Sequence, residues 1–281
     1  MSIWRHQDTE ASIDLNILRS ELCIFCNSSM IKSSKKKSIH IKEVYDYIQI
    51  MDINIRACPI CGWWTVINYR DIPEKFYKCP YILEYYGSIA VLKKLDLNDI
   101  SLPINDVSQY LLAKYEDRFQ IHPRLFEETV ASVFRNAGYH ARTTAYQNDG
   151  GIDVVLDGKD NKIIGVQVKR YKNSIRVSQI REFAGALIEN NMTKGIFVTT
   201  SKFQSGAHKS IYNFEKRGIG VKLMDSDRFY DALQIKRETE NLQDEIIEYI
   251  SNAELKLIYS SKNDSMVERM GDIVISKEFN K

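Results

Sequence analysis

The sequence predicts an α/β protein in which helices pack on a mixed sheet, preceded by a small metal-binding module and a helical connector. Three observations point there. Helical and strand-like segments alternate from about residue 121 to residue 224. Four of the five cysteines form two Cys-x-x-Cys pairs within the first 80 residues. The 281 residues suffice for two domains, at ~100–200 residues each. Hydrophobic residues make up 44% and aromatic residues 11%, which excludes a wholly disordered chain. No run of about 18 apolar residues exists to cross a membrane. The opening MSIWRHQDTE lacks the apolar stretch of a signal peptide, so a cytoplasmic protein with no membrane partner is expected.

The first element is the module at residues 1–80. Its pairs are Cys23-Ile24-Phe25-Cys26 and Cys58-Pro59-Ile60-Cys61. In a reducing compartment such pairs serve as metal ligands rather than disulfides. Zinc takes four thiolates or imidazoles in a tetrahedron, and each Cys-x-x-Cys turn supplies two, so structural Zn2+ on Cys23, Cys26, Cys58 and Cys61 is expected. Gly62 suits the turn after the second pair. The pattern is similar to a zinc ribbon, although its spacer is 31 residues against the common ~15–20. Cys79 reads as an ordinary buried thiol, and His40 as a surface histidine or a substitute ligand. Lys32-Ser33-Ser34-Lys35-Lys36-Lys37 reads as a solvated loop, with nucleic-acid contact beside Trp63 and Trp64 as the alternative. Trp63–Tyr69, aromatic and β-branched, predicts a strand.

Residues 81–119 read as the helical connector: Ile89, Leu92 and Leu95, then Leu111, Leu112 and Tyr115, recur at helical spacing, with Pro103 between them. The next domain spans 120–235. Pro123 opens a helix whose buried face is Phe126, Val130, Val133 and Phe134, and Gly138 closes it. Ile152–Leu156 and Ile163–Lys169 read as two strands of a hairpin around Asp157–Asn161. A helix over Ser178–Glu189, a strand over Gly195–Thr200, a helix over Gln204–Arg217 and a strand over Gly220–Met224 follow. The tail, 236–281, reads as helical, with Leu242, Ile246, Ile250 and Leu257 on one face.

One cluster has chemical meaning. Gln167 and Lys169 stand two residues apart on a strand and so share a face, while Val166 and Val168 point to the other. The hairpin brings the start of the preceding strand, Asp153, beside them. Hydrolysis of a phosphodiester needs a cation held by oxygens, a polarised phosphoryl group and an activated water. Asp153 supplies a carboxylate oxygen and Gln167 an amide oxygen, a set that magnesium accepts. Lys169 can stabilise the charge developing on the phosphate. Glu127 or Glu128, on the preceding helix, could complete the cation site. The same residues are also compatible with a surface ion pair worth ~0–1 kcal/mol.

Phe126-Glu127, Asp149-Gly150-Gly151-Ile152-Asp153 and Gln167-Val168-Lys169-Arg170-Tyr171 resemble the catalytic domain of Mrr-like restriction endonucleases, within the PD-(D/E)xK nucleases. Phe183-Ala184-Gly185-Ala186-Leu187 and Phe197-Val198-Thr199-Thr200-Ser201, with Phe203, extend the similarity over about residues 120–235. The resemblance implies a restriction-endonuclease-like core of the αβββαβ type and Mg2+-dependent cleavage of DNA. It implies a catalytic set of Glu127, Asp153, Gln167 and Lys169, with Gln standing where the commoner motif has an acid. It further implies that Asp149 and the glycines shape the turn holding Asp153.

Arg170, Lys172, Arg176 and Arg181 occur with no acidic residue between Gly165 and Arg181. Such a stripe holds phosphates, and Arg170 and Lys172 are read as DNA contacts. The chain is nearly neutral at +2, but residues from Asp225 onward hold thirteen acids and eight bases, so the remainder carries +7. A DNA endonuclease of restriction or anti-phage defence is the reading that results, with a homodimer expected because cutting both strands takes two active sites. The alternative is a nucleic-acid-binding or effector subunit that works only with a partner protein of a defence system or with a trigger. No GxxxxGK[ST] loop is present, so an NTP-driven motor would come from another chain.

Overall fold

Between the two cysteine pairs the chain doubles back on itself. Strand β2 (Ile31–Ile41) pairs antiparallel with β3 (Tyr47–Ala57) along its whole length, from Ile31↔Ala57 to Ile41↔Tyr47. The long spacer is therefore a hairpin, and its paired base returns Cys58 to the neighbourhood of Cys26. The structure is a computed structural model that describes residues 3–8, 15–41, 47–73, 81–144, 150–157, 163–239, 265–270 and 273–278. Cys79, Asp149, the turn at 158–162 and the helix expected over 240–258 lie outside the described residues, as does the side chain of His40.

Two units make up the chain, Met1–Lys93 with Asn241–Lys281, and Lys94–Glu240. In the first, β1 (Trp4–Asp8), the short helix α1 (Leu15–Leu18), β4 (Trp64–Pro73) and β5 (Tyr81–Leu92) join the hairpin. The sheet is antiparallel in the order β1-β5-β4-β3-β2. Ile53, Ile55, Val66 and Ile67 are buried on it. Three sequence expectations are corrected here. Residues 81–92 form a strand, not the first half of a helical connector. Apolar residues three apart fit either element, and six of these twelve residues are aromatic or β-branched, which favours extended chain. The lysine run lies on β2, not in a loop, and β2 is an edge of the sheet. Lys35 and Lys36 are exposed there, where charge discourages pairing with another strand. Trp63 and Trp64 are buried, so they offer no ring to a nucleic acid. In the tail, β11 (Ser265–Met270) pairs antiparallel with β12 (Ile273–Glu278), where a helical tail was expected. Val267, Ile273, Val274 and Ile275 are β-branched, which favours extended chain.

The second unit begins with α2 (Ile104–Ala113) and a short 3-10 helix (Tyr115–Phe119). Helix α3 (Pro123–Asn136) follows, with Pro123 in its first turn and His122 Nδ1 accepting from the Arg124 N–H as its cap. A five-stranded sheet in the order β10-β9-β8-β7-β6 is built from β6 (His140–Thr143), β7 (Val154–Asp157), β8 (Ile163–Lys169), β9 (Lys194–Thr199) and β10 (Gly220–Met224). β6, β7 and β8 are antiparallel, whereas β8, β9 and β10 are parallel through α4 (Val177–Glu189) and α5 (Gly206–Glu215). Helix α6 (Ser226–Thr239) closes the unit. The order from α3 to β9 is αβββαβ, as the family resemblance implies.

Ile180, Phe183 and Leu187 of α4 pack with Phe197, Val221 and Leu223 in one apolar cluster. Gly165 and Gly195 face each other across β8 and β9 beneath this helix. A Cβ on Gly195 would stand 2.6 Å from both Leu187 Cδ1 and Phe183 Cζ. The glycine pair thus lets α4 approach the sheet, which matters for the site below. Among the described residues, no helix is long and apolar enough to cross a membrane.

Candidate active site and metal centre

The register Val154↔Val166 continues one step into the turn, where the Asp153 N–H donates to the Val166 carbonyl at 2.8 Å. That step sets Asp153 beside Gln167. Both side chains are buried, at 6% and 7% exposure. A buried carboxylate requires donors or a cation. Asp153 Oδ2 accepts from the Val168 N–H at 2.5 Å and from Gln167 Nε2 at 3.0 Å. Both donors are neutral, and the amide of Gln167 turns its other atom, Oε1, toward the bare α-carbon of Gly151. A Cβ there would stand 3.9 Å from Oε1. With the Gln167 amide turned over, its oxygen would stand beside the carboxylate, and the two would form a hard, oxygen-only donor set that suits magnesium. Lys169 follows on the same face of β8, half-buried at the strand's end.

The turn that carries Asp153 rests on α4. Gly150 and Gly151 have φ of 59° and 79°. Asn190 Nδ2 donates to the Ala186 carbonyl at 2.8 Å and lies 3.5 Å from the Gly150 carbonyl. A Cβ on Gly151 would meet Ala186 Cβ at 3.0 Å. Gly151→Ala is therefore expected to strain the turn twice, by its left-handed backbone and by this contact, at a cost of about 1–3 kcal/mol. Displacing Asp153 by a fraction of an ångström should lower its activity by about 10–100-fold, measured as kcat against a melting curve of the same preparation.

Glu127 enters from α3. Arg124, one turn earlier, lies 3.2 Å from Glu127 Oε2 through Nη1 and 3.8 Å from Glu128 Oε1 through Nη2. The same guanidinium donates to the Thr144 carbonyl at 2.8 Å and to Thr143 Oγ1 at 2.7 Å. Thr144 in turn donates its N–H to the Asp153 carbonyl at 3.0 Å and its hydroxyl to the Ile152 carbonyl at 2.7 Å. Glu127 and Asp153 are thus tied through Arg124 and Thr144. Glu128, the other candidate, accepts from Thr143 Oγ1 at 2.5 Å and pairs with Arg135 at 3.5 Å, which commits it to holding β6 on α3. Sequence reasoning missed Arg124. Its position three residues before Glu127 on a helix was the available signal.

Arg170 is half-buried and donates from Nη1 to the Phe119 carbonyl at 3.0 Å. Part of its guanidinium thus serves the fold. Lys172 is exposed, with Nζ 5.9 Å from the centre of the Phe119 ring. Arg176 and Arg181 are exposed as well.

In the other unit the four expected cysteines converge. Their sulfurs all lie within 4.8 Å of one another, with Cys23–Cys61 at 3.5 Å and Cys26–Cys58 at 3.4 Å. None is bridged. Zinc–sulfur bonds of about 2.3 Å give a tetrahedron with edges of about 3.8 Å, so the set fits that ion. Two matching turns create it. The Asn27 N–H donates to the Cys23 carbonyl at 2.9 Å, and the Gly62 N–H to the Cys58 carbonyl at 3.0 Å. Asn27 and Gly62, each directly after a second cysteine, have φ of 58° and 77°. Hydrogen bonding from Cys23 and its neighbours holds the Cys26 thiol far below the ordinary range and pushes Cys58 and Cys61 above it. A divalent cation among four such crowded sulfurs would let all four be thiolates.

Residues 119–233 match the family model described as restriction endonuclease, the Mrr catalytic domain. The chain is 33% identical over 120 residues to the Type IV methyl-directed restriction enzyme EcoKMrr of Escherichia coli K12, covering 40% of this chain and 38% of that protein. It is 27% identical over 138 residues to the uncharacterized protein y4cE of Sinorhizobium fredii, covering 45% of this chain and 35% of that one. The matches therefore span little more than a third of each relative's length. Among solved structures, the ATP-dependent Type ISP restriction-modification enzyme LlaBIII bound to DNA is similar at 18% identity and a TM-score of 0.28, covering 44% of this chain and 8% of that one. Residues 119–233 are an Mrr-like restriction-endonuclease domain.

Proposed function

We propose that this chain is a metal-dependent endonuclease that hydrolyses DNA phosphodiester bonds in restriction or anti-phage defence. The observation that supports it most is the buried contact of Asp153 with Gln167, two residues before Lys169 on β8, inside a domain of restriction-endonuclease type. Asp153 and Gln167 would hold magnesium through their oxygens, with Glu127 nearby through Arg124. When bound, the ion polarises the phosphoryl group and lowers the pKa of water. Lys169 places a cation where negative charge develops on the phosphate. Arg170 and Lys172 hold the backbone of the bound DNA, Arg170 with the donors that the Phe119 carbonyl leaves over. In the other unit Cys23, Cys26, Cys58 and Cys61 would hold structural zinc, and unbridged cysteines suit the reducing cytoplasm. Two copies acting together would cut both strands.

The test is cleavage of methylated and unmethylated plasmid and phage DNA by the purified full-length chain, in magnesium and in EDTA, beside Lys169→Ala. Cleavage is expected only in magnesium. It should fall by about 100-fold or more in Lys169→Ala, with KM changed much less, because the charge acts chiefly in the transition state. A folded wild type that never cleaves alone, yet cleaves when cell extract is added, would favour the effector-subunit reading.

A further inference from the structure

The strand end that carries Lys169 and the basic loop after it are gripped by a row of hydroxyls. Thr199 Oγ1 donates to the Lys169 carbonyl at 2.9 Å, Thr200 Oγ1 to the Tyr171 carbonyl at 2.9 Å, and Ser201 Oγ to the Asn173 carbonyl at 2.8 Å. Consecutive hydroxyls thus cap alternate carbonyls. All three side chains are buried, at 0%, 0% and 6% exposure, whereas Tyr171, Lys172, Asn173 and Ser174 are exposed. Beyond the row, the Ile175 N–H donates to the Lys202 carbonyl at 2.8 Å and the Gln204 N–H to the Ile175 carbonyl at 3.1 Å.

A second grip closes the circuit. The Thr200 carbonyl accepts from Arg118 Nε at 3.0 Å. The Arg118 guanidinium lies 4.1 Å from the centre of the Phe119 ring, and the Phe119 carbonyl accepts from Arg170. The loop is therefore held at Arg170 by its side chain and at residues 169, 171 and 173 by its backbone. The side chains of Tyr171, Lys172, Asn173 and Ser174 face outward, and Lys172 is the cation among them.

We propose that Thr199, Thr200 and Ser201 are positioning residues that fix the Lys169–Asn173 segment as a rigid DNA-facing rim. Thr199 sets the end of β8 and hence Lys169. Thr200 and Ser201 set the loop, so that Tyr171 and Lys172 meet the duplex without ordering it on binding. The gain is preorganisation, because an extended loop without secondary structure would otherwise lose its freedom when DNA binds. The inference rests on the endonuclease reading for its consequence and on the hydrogen-bond row for its mechanism.

The experiment uses the full chain with Thr199→Val, Thr200→Val, Ser201→Ala and the conservative Thr200→Ser. Amide hydrogen exchange at Ile175 and Gln204 is measured first, without DNA. It should accelerate by about 5- to 10-fold in Thr200→Val, the loss of roughly one hydrogen bond, and stay near wild type in Thr200→Ser. Affinity for a short fluorescent duplex in EDTA should weaken by about 5- to 10-fold in Thr200→Val and Ser201→Ala. In magnesium, Thr199→Val should lower kcat by about 10-fold at nearly unchanged KM, while the other two should raise KM. Unchanged exchange in Thr200→Val, equal impairment by Thr200→Ser, or faster exchange with unchanged duplex affinity would each overturn the proposal. Exchange and duplex binding need no cleavage, so a wild type that cleaves nothing would refute the endonuclease reading and still leave this one decided.

Discussion

Asp153→Asn is expected to lower DNA cleavage by ~1,000-fold or more while leaving the protein folded. The carboxylate is buried, so its removal is read at one place only. An Asn oxygen can still accept from the Val168 N–H, which now serves Oδ2 at 2.5 Å. The same oxygen also keeps Gln167 Nε2, which donates to Oδ2 at 3.0 Å, and the new amide nitrogen takes the place of Oδ1. The negative charge that a divalent cation needs disappears with it. Because a buried charge is exchanged for a neutral group of equal size, the melting temperature should move by no more than a few degrees. Gln167→Glu makes the opposite change, placing two carboxylates in contact. It should bind magnesium at least as well but lose metal-free stability, since like charges so close cannot both ionise without a cation.

The second large effect belongs to the cysteines. Cys58→Ser is expected to abolish zinc binding, from one ion per chain to none by elemental analysis, and to unfold the unit around it. Structural zinc sites contribute apparent binding energies of about 10–16 kcal/mol, which is folding energy where the core is small. The tryptophans report it directly. All three, Trp4, Trp63 and Trp64, lie in this unit and are buried. Trp4 Nε1 donates to the Cys61 carbonyl at 2.8 Å, and the Phe25 ring lies 5.1 Å from that of Trp4 and 5.9 Å from that of Trp63. Loss of the ion should shift their emission to the red, with the same end point in Cys58→Ser and in chelated wild type. A wild type that holds no zinc, beside a Cys58→Ser variant that keeps blue emission, would show that these sulfurs are merely packed together.

Much of the second unit was legible because its hydrophobic patterns are strong. Pro123 marked the start of α3, and Val166–Lys169 alternates, which places Gln167 and Lys169 on one face. Strand β6 was not legible: His140-Ala141-Arg142-Thr143 is four residues long with one buried side chain. Strand β5 was misread because its apolar residues fit two periods, and pairing on both sides with β4 and β1 decides between them. The cysteine quartet was legible from spacing, but the lysines of β2 concealed the hairpin that makes the long spacer work. In the candidate site, Asp153 and Gln167 stand out by type and position. The hydroxyl row does not, because it acts on backbone carbonyls about 30 residues away and such bonds leave no local pattern, and Arg124 left only its helical spacing to Glu127.

The most direct test of the endonuclease account is single-turnover cleavage of supercoiled plasmid by the full-length protein in magnesium, with Asp153→Asn of matched melting temperature beside it. The account expects nicked and linear products from the wild type and none from the variant. Products from Asp153→Asn at the wild-type rate would contradict it, because the hydrolysis would then arise somewhere other than the Asp153–Gln167 site.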